Sequence, residues 1–200
     1  LMMHELFPTP VFEENIGVPE GTLSILDTME WDRFETKSIT KEKNILNFLP
    51  SVYNLIQKQI EDWCYNTLLI KTTNELEIVR SWAASHKTGD SCDWHSHTNA
   101  VMSGVYYIMC NPDSGRLFFN KGAHYQNCFV PTLEPDTVGF VPATAKQFSI
   151  LPEPGTLLMF PSQLVHRAER NQSTNWRLCI AYDVFIRGRI GTDHGNEVTL

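Results

Sequence analysis

No apolar run in this sequence of 200 residues approaches the ~18–20 that cross a bilayer as a helix, so no membrane span is expected. Positive charge is scarce as well. Sixteen Lys and Arg stand against 23 Asp and Glu, a net charge of −7. That balance offers no basic face of the kind that holds nucleic acid, although a local basic groove is compatible with it. The five cysteines, at 64, 92, 110, 128 and 179, are odd in number and include no C-x-x-C pair. Neither a disulfide framework nor a Cys-based zinc site is therefore expected, and the thiols read as buried and reduced. Residues 1–10 lack a basic stretch followed by an apolar core, so the expectation is a cytoplasmic protein without a secretory signal. Repeats, low-complexity tracts and Ser/Gly linkers are absent too, which argues for one domain over 1–200.

What is present changes character along the chain. Residues 1–75 carry an extended segment and helical signals, 76–187 carry strand signals, and 188–200 form a tail. Two prolines in Phe7-Pro8-Thr9-Pro10-Val11-Phe12 exclude a helix interior there. Residues 21–30 fit a short helix. A longer one is expected over 50–68, with Pro50 at its first position. Val52, Leu55, Ile56, Ile60, Trp63, Cys64 and Thr67 follow the i, i+3, i+4 spacing of one apolar stripe. Such a stripe covers a sheet, and Trp63 on it reads as core. Strands are expected over 76–86, 100–110, 116–120, 128–133, 137–141, 147–151, 156–160 and 176–186. Turn chemistry such as Asn111-Pro112-Asp113-Ser114-Gly115 and Pro152-Glu153-Pro154-Gly155 separates them. Strands so spaced argue for a mainly β fold with flanking helices, a cupin-like double-stranded β-helix or jelly roll.

One segment carries chemistry: Asp93-Trp94-His95-Ser96-His97-Thr98-Asn99. In an extended chain residues i and i+2 share a face, so His95 and His97 point the same way. Two imidazoles on one face suit iron, zinc, copper or nickel. His166 is the candidate third ligand, just beyond Pro154-Gly155-Thr156-Leu157-Leu158-Met159-Phe160-Pro161-Ser162. Arg177 opens the last strand, and alternation puts it on one face with Cys179, Ala181 and Asp183. An inward arginine needs an anion, and a bound carboxylate supplies one. Singly these signals are weak, since H-x-H pairs are common on surface strands and inward Arg usually meets a structural Asp. Their order along the chain is far more specific than any one of them.

That order resembles the iron(II)/2-oxoglutarate-dependent oxygenases built on a double-stranded β-helix, in particular a bacterial and phage group of them. The resemblance starts at Leu6-Phe7-Pro8-Thr9-Pro10-Val11. It runs through Ser81-Trp82-Ala83, His95-Ser96-His97, Met102-Ser103-Gly104-Val105-Tyr106-Tyr107 and Ser114-Gly115-Arg116-Leu117 to Phe160-Pro161-Ser162, His166 and Arg177. It implies Fe(II) on His95, His97 and His166, and Arg177 on the distal carboxylate of 2-oxoglutarate. It also implies hydroxylation of a substrate by O₂ with release of succinate and CO₂. One departure stands out. The superfamily's first motif is usually H-x-D or H-x-E, and here His97 takes the acid's place, which makes the site one unit more positive. The register His97-Thr98-Asn99, with Asn99 as a weak amide ligand, is the less favoured alternative. Asp93 is placed to orient an imidazole from behind. Tyr106, Tyr107 and Ser103 are candidates for cosubstrate hydrogen bonds, and only one of the tyrosines can face inward. Arg116 and Cys179 are weaker pocket candidates. His4, His86, His124 and His194 have no spacing partner and read as non-ligands, and loop 120–128 reads as a candidate substrate lid.

Three functions remain to be separated. The first is an oxygenase using Fe(II) and 2-oxoglutarate on a small molecule or peptide, a substrate class favoured over nucleic acid by the charge. The second is a three-His cupin-like metal enzyme without 2-oxoglutarate, in which Arg177 binds a substrate carboxylate. The third is a non-enzymatic jelly-roll binding protein. Homodimerisation is an open expectation that nothing in the sequence fixes.

Overall fold

Three segments bury both sides of the chain over most or the first half of their length, as strands covered on both faces do: Met102–Met109, Thr156–Pro161 and Arg177–Ile190. In the computed structural model, which describes residues 2, 8–120, 136, 138–139, 141–142, 144–191 and 197–200, they lie side by side in the middle of a large antiparallel sheet. In chain order the elements are β1 (Phe12–Asn15), α1 (Thr22–Leu26), β2 (Trp31–Arg33), β3 (Ser38–Thr40), α2 (Pro50–Glu61), β4 (Asn74–His86), β5 (Cys92–His95), β6 (Met102–Met109), β7 (Leu117–Asn120), β8 (Gln147–Ile150), β9 (Thr156–Pro161), β10 (Val165–Ala168), β11 (Arg177–Ile190) and β12 (Val198–Thr199). The large sheet runs β1-β9-β6-β11-β4-β3-β2, with β12 also on β11, and the small one runs β5-β10-β7-β8. This is a mainly β jelly roll with helices outside it.

Side-chain alternation sorts the large sheet into two faces. Leu178, Ile180, Tyr182 and Val184 of β11, with Tyr106, Ile108, Leu157 and Met159, pack under α2. Cys179, with Val105, Tyr107, Leu158 and Phe160, packs instead with Leu117, Phe119 and Ile150 of the small sheet. Each buried Leu, Ile or Phe is worth ~1.5–3 kcal/mol relative to exposure. The register is thereby pinned, because a one-residue slip of β11 would drive Arg177 and Asp183 into the apolar layer under the helix. Gly104 shows how close the packing is. A Cβ there would stand 2.2 Å from the Tyr182 ring, whose hydroxyl donates to the Leu158 carbonyl at 3.1 Å.

Helix α2 starts at Pro50 and buries Val52, Ile56 and Ile60. The α-helix ends at Glu61, short of the expected 68, and a wider π-type turn over Asp62–Thr67 follows. It keeps Trp63 and Cys64 buried and leaves Thr67 exposed. Trp63 stacks on Phe12 at 5.1 Å between ring centroids, so it is core. The helix expected over 21–30 shortens to Thr22–Leu26. The strands expected over 76–86, 100–110, 116–120, 147–151, 156–160 and 176–186 are present at similar bounds, whereas β1, β2, β3, β5, β10 and β12 were not foreseen. The expected strand 128–133 lies outside the described residues, and residues 138, 139 and 141 carry no strand. His4, Cys128, His124, His194 and most of loop 120–128 also lie outside the described residues. No helix among the described residues is long and apolar enough to cross a membrane.

Candidate metal centre

His95 is the last residue of β5, and His166 sits directly opposite it on β10. His97 lies two residues past the strand end, where its backbone N–H donates to the Ser162 carbonyl at 2.9 Å. The three rings gather around one small volume. Their centroids are 4.3 Å apart for His95–His166, 5.3 Å for His95–His97 and 5.2 Å for His97–His166. One ring nitrogen from each lies within 4.8 Å of the other two.

The hydrogen bonds behind the rings say which nitrogens are free. His95 Nδ1 is 2.7 Å from the Asp93 carbonyl, His166 Nδ1 is 2.9 Å from the Leu164 carbonyl, and His97 Nδ1 is 2.6 Å from Asp183 Oδ1. Carbonyls and ionised carboxylates only accept, so each Nδ1 donates, which leaves Nε2 as the nitrogen whose lone pair a neutral ring offers to a metal. Three such lone pairs form a donor set that fits a divalent first-row metal, Fe(II) included. Burial, reinforced by the neighbouring His95, pushes His166 down to about 3, which keeps it neutral and able to ligate. Phe160 packs edge-on against His166 at 4.7 Å and helps exclude water.

Asp183 is 1% exposed and fully engaged. Its Oδ1 accepts from His97 and, at 2.7 Å, from the Ser103 hydroxyl. Its Oδ2 accepts from Arg80 Nε at 2.9 Å and Nη2 at 2.5 Å. Burial alone would raise its pKa, but the donors from His97, Ser103 and Arg80 hold the carboxyl below the usual range. Arg80 also lies over the Trp82 ring at 5.0 Å, and Trp82 is 5.6 Å from His97.

The same pocket continues to a second polar cluster, lined by Lys37, His86, Tyr107 and Arg177. Arg177 Nη1 donates to the Ser114 and Glu169 carbonyls at 2.5 and 2.9 Å, while Nη2 is buried without a partner. His86 faces Arg177 across β4 and β11, and neither of its ring nitrogens has a partner. Burial and then the Arg177 charge lower its pKa to about 3, so the ring is neutral. Lys37 Nζ is 3.0 Å from Cys92 Sγ, itself 3.8 Å from His95 Nδ1. Burial would raise the Cys92 thiol, but these two contacts bring it down to about 7.

The other expected site residues separate cleanly. Tyr107 and Cys179 line the pocket. Tyr106 does not: it faces α2 and donates to the Gly17 carbonyl, so its expected contact with a cosubstrate is corrected. Ser103 is spent on Asp183 and Ser162 and supports the centre from behind. Asp93 meets His95 Nδ1 through its backbone carbonyl, while its carboxylate is exposed. Asn99 is exposed at a left-handed turn with φ 61°, apart from the cluster, and Arg116 is exposed. Asp183, Arg80, His86 and Lys37 were not foreseen in these places. Only Asp183 left a trace in the sequence, its parity with Arg177 on β11.

The family model described as "Putative 2OG-Fe(II) oxygenase" matches residues 80–183, a span holding the three histidines, Arg177 and Asp183. No curated protein matches the chain. Among solved structures it is similar to HygX from Streptomyces hygroscopicus, solved with nickel and 2-oxoglutarate bound. The identity is 14% over 88% of this chain and 83% of that one, with a TM-score of 0.59. It is similar to the non-heme alpha ketoglutarate dependent carbocyclase SnoK from nogalamycin biosynthesis, at 11% identity over 94% and 85% and a TM-score of 0.61. It is also similar to a Pseudomonas putida prolyl-4-hydroxylase, at 13% identity over 90% and 94% and a TM-score of 0.52. At such identities the likeness shows the shared jelly roll and nothing finer.

Proposed function

This chain belongs to the 2OG-Fe(II) oxygenase family, and on that premise we propose that it hydroxylates a small molecule or a peptide side chain, with Fe(II) on His95, His97 and His166 and 2-oxoglutarate anchored at Arg177. One observation carries the proposal. A buried arginine with an unpaired Nη2 lines the same pocket as three converging histidines. An unpaired buried donor costs ~1–3 kcal/mol, and a carboxylate arriving at Nη2 removes that cost.

Bound together, iron and 2-oxoglutarate supply oxidation of the substrate by O₂, coupled to formation of succinate and CO₂. The chain's own residues do the positioning. Asp93, Leu164 and Asp183 hold the three rings by Nδ1, so that His95, His97 and His166 would hold the metal through Nε2. The Ser114 and Glu169 carbonyls fix the Arg177 guanidinium by Nη1 and leave Nη2 for the distal carboxylate. Burial keeps the Tyr107 phenol protonated, a ready donor at the pocket wall. The net charge of −7 supports a small molecule or peptide over nucleic acid.

The test is calorimetric titration of the anaerobic Fe(II) protein with 2-oxoglutarate, followed by succinate release under O₂. One equivalent should bind, and Arg177→Gln should abolish or greatly weaken it. Metal binding without 2-oxoglutarate binding would favour the cupin-like alternative, in which Arg177 meets a substrate carboxylate. No stoichiometric metal would leave a binding protein. Mass spectrometry of the product separates hydroxylation, the gain of one oxygen atom, from oxidation by loss of two hydrogens.

A further inference from the structure

The three histidines are not held alike. His95 and His166 donate to neutral backbone carbonyls two residues away, whereas His97 donates to a carboxylate 86 residues away on β11. His97 is also the residue that stands where an H-x-D motif has its acid. We infer that Asp183 is a positioning residue that returns to the centre, through the His97 ring, the negative charge that the three-His set lacks. The inference rests on the proposal that these histidines bind the metal.

Three features of the contact support it. It is short, at 2.6 Å, and buried, with Asp183 1% exposed, so water screens little of the charge. The lone pairs of Asp183 are divided. Oδ2 is given to Arg80, while Oδ1 is reserved for His97 and Ser103. A carboxylate behind an imidazole Nδ1–H also makes Nε2 a stronger donor to a metal than a carbonyl does. Ser103, itself bonded to Ser162, and Arg80, stacked on Trp82, keep Asp183 from turning away. His97 and Asp183 thus act as one composite ligand, with the acid displaced outward by the length of a ring.

The test measures metal affinity, with Co(II) as an air-stable probe alongside anaerobic Fe(II). Asp183→Asn keeps the shape of the side chain and removes its charge. Its metal affinity should fall ~10–100-fold, the usual cost of losing such a partner. The visible spectrum of the Co(II) protein should shift with it. Arg80→Gln loosens the carboxylate at Oδ2 but leaves its charge and its bond to His97 in place, so it should weaken the metal clearly less than Asp183→Asn does. Circular dichroism establishes that both variants are folded. If either fails to fold, Ser103→Ala, which removes the other donor to Oδ1, should still bind metal more tightly than His97→Ala. Asp183→Asn within twofold of the wild type, while His97→Ala loses the metal, overturns this inference alone. So does an equal loss in Asp183→Asn and Arg80→Gln, because a purely structural network would behave that way. Failure of the wild type to bind metal overturns the three-His reading and this inference with it.

Discussion

The two ends of the pocket are finished to different degrees. At the histidine end each ring Nδ1 has an acceptor, and both Asp183 oxygens have donors. At the arginine end Arg177 Nη2 and both His86 nitrogens are buried without partners. A satisfied network is rigid, and an unsatisfied one costs free energy until something arrives. The histidine end is therefore preorganised by the protein, and on the proposed function the arginine end would be completed by its ligand. Substitutions at the first should change metal content, and substitutions at the second should change ligand affinity with the metal retained.

The sharpest way to break this contrast is His166→Ala. It should cost more than about 100-fold in metal affinity, beyond the ~10–100-fold typical of residues behind a ligand, and abolish succinate release. Elemental analysis and calorimetry check it. Next comes Arg177→Gln, expected to raise the dissociation constant for 2-oxoglutarate ~10–100-fold, the worth of a charge-assisted hydrogen bond. Metal affinity should stay within about threefold, a shift of less than ~1 kcal/mol. A parallel loss of metal would show that the two ends are one unit. Third, 2-oxoglutarate at 100 times its dissociation constant should stabilise the metal-loaded protein by about 2.7 kcal/mol, read as a rise in Tm that Arg177→Gln loses.

The smallest effect concerns pH. His86 and His166 titrate near 3 in the fold, against 6.5 as the ordinary value. Between those values the unfolded chain takes up protons that the folded chain refuses, so stability falls as pH drops from about 6.5 toward 3. Thermal melts across that range should show the decline, and His86→Phe should make it shallower. Because that change also removes two unpaired nitrogens, it should leave Tm at neutral pH equal or raised, by about 1 kcal/mol of stability at most. A Tm lowered by several degrees would show that His86 has a partner and that the contrast between the two ends is overdrawn.

Much of this was legible in the sequence, for identifiable reasons. Period-2 alternation along β11 put Arg177, Cys179 and Asp183 on one face, because both faces of the first half of that strand are buried and neither tolerates a slip. His95, His97 and His166 were readable as a set because their spacing and order are chemically unusual. The same alternation allowed one inward tyrosine of two but not which, since the choice depends on which face α2 covers. The partnership of His97 with Asp183 joins residues 86 apart, and nothing local to either announces it. His86 was set aside for the same reason, its neighbour Arg177 being adjacent only across strands. Strands β2, β3, β5 and β10 are three or four residues long, too short to establish a period against the turns around them.

The pairing of His95 with His166 has a mechanical consequence. Among the described residues β5 is an edge strand, joined to β10 by two paired positions with an irregularity between them. An ion shared by His95 and His166 would rivet that edge to its neighbour, as a disulfide does in secreted proteins, in a chain whose described cysteines are all free. Removing the ion should then speed amide exchange and proteolysis at β5 before it affects the middle of the large sheet. The centre would close the barrel as well as serve its chemistry.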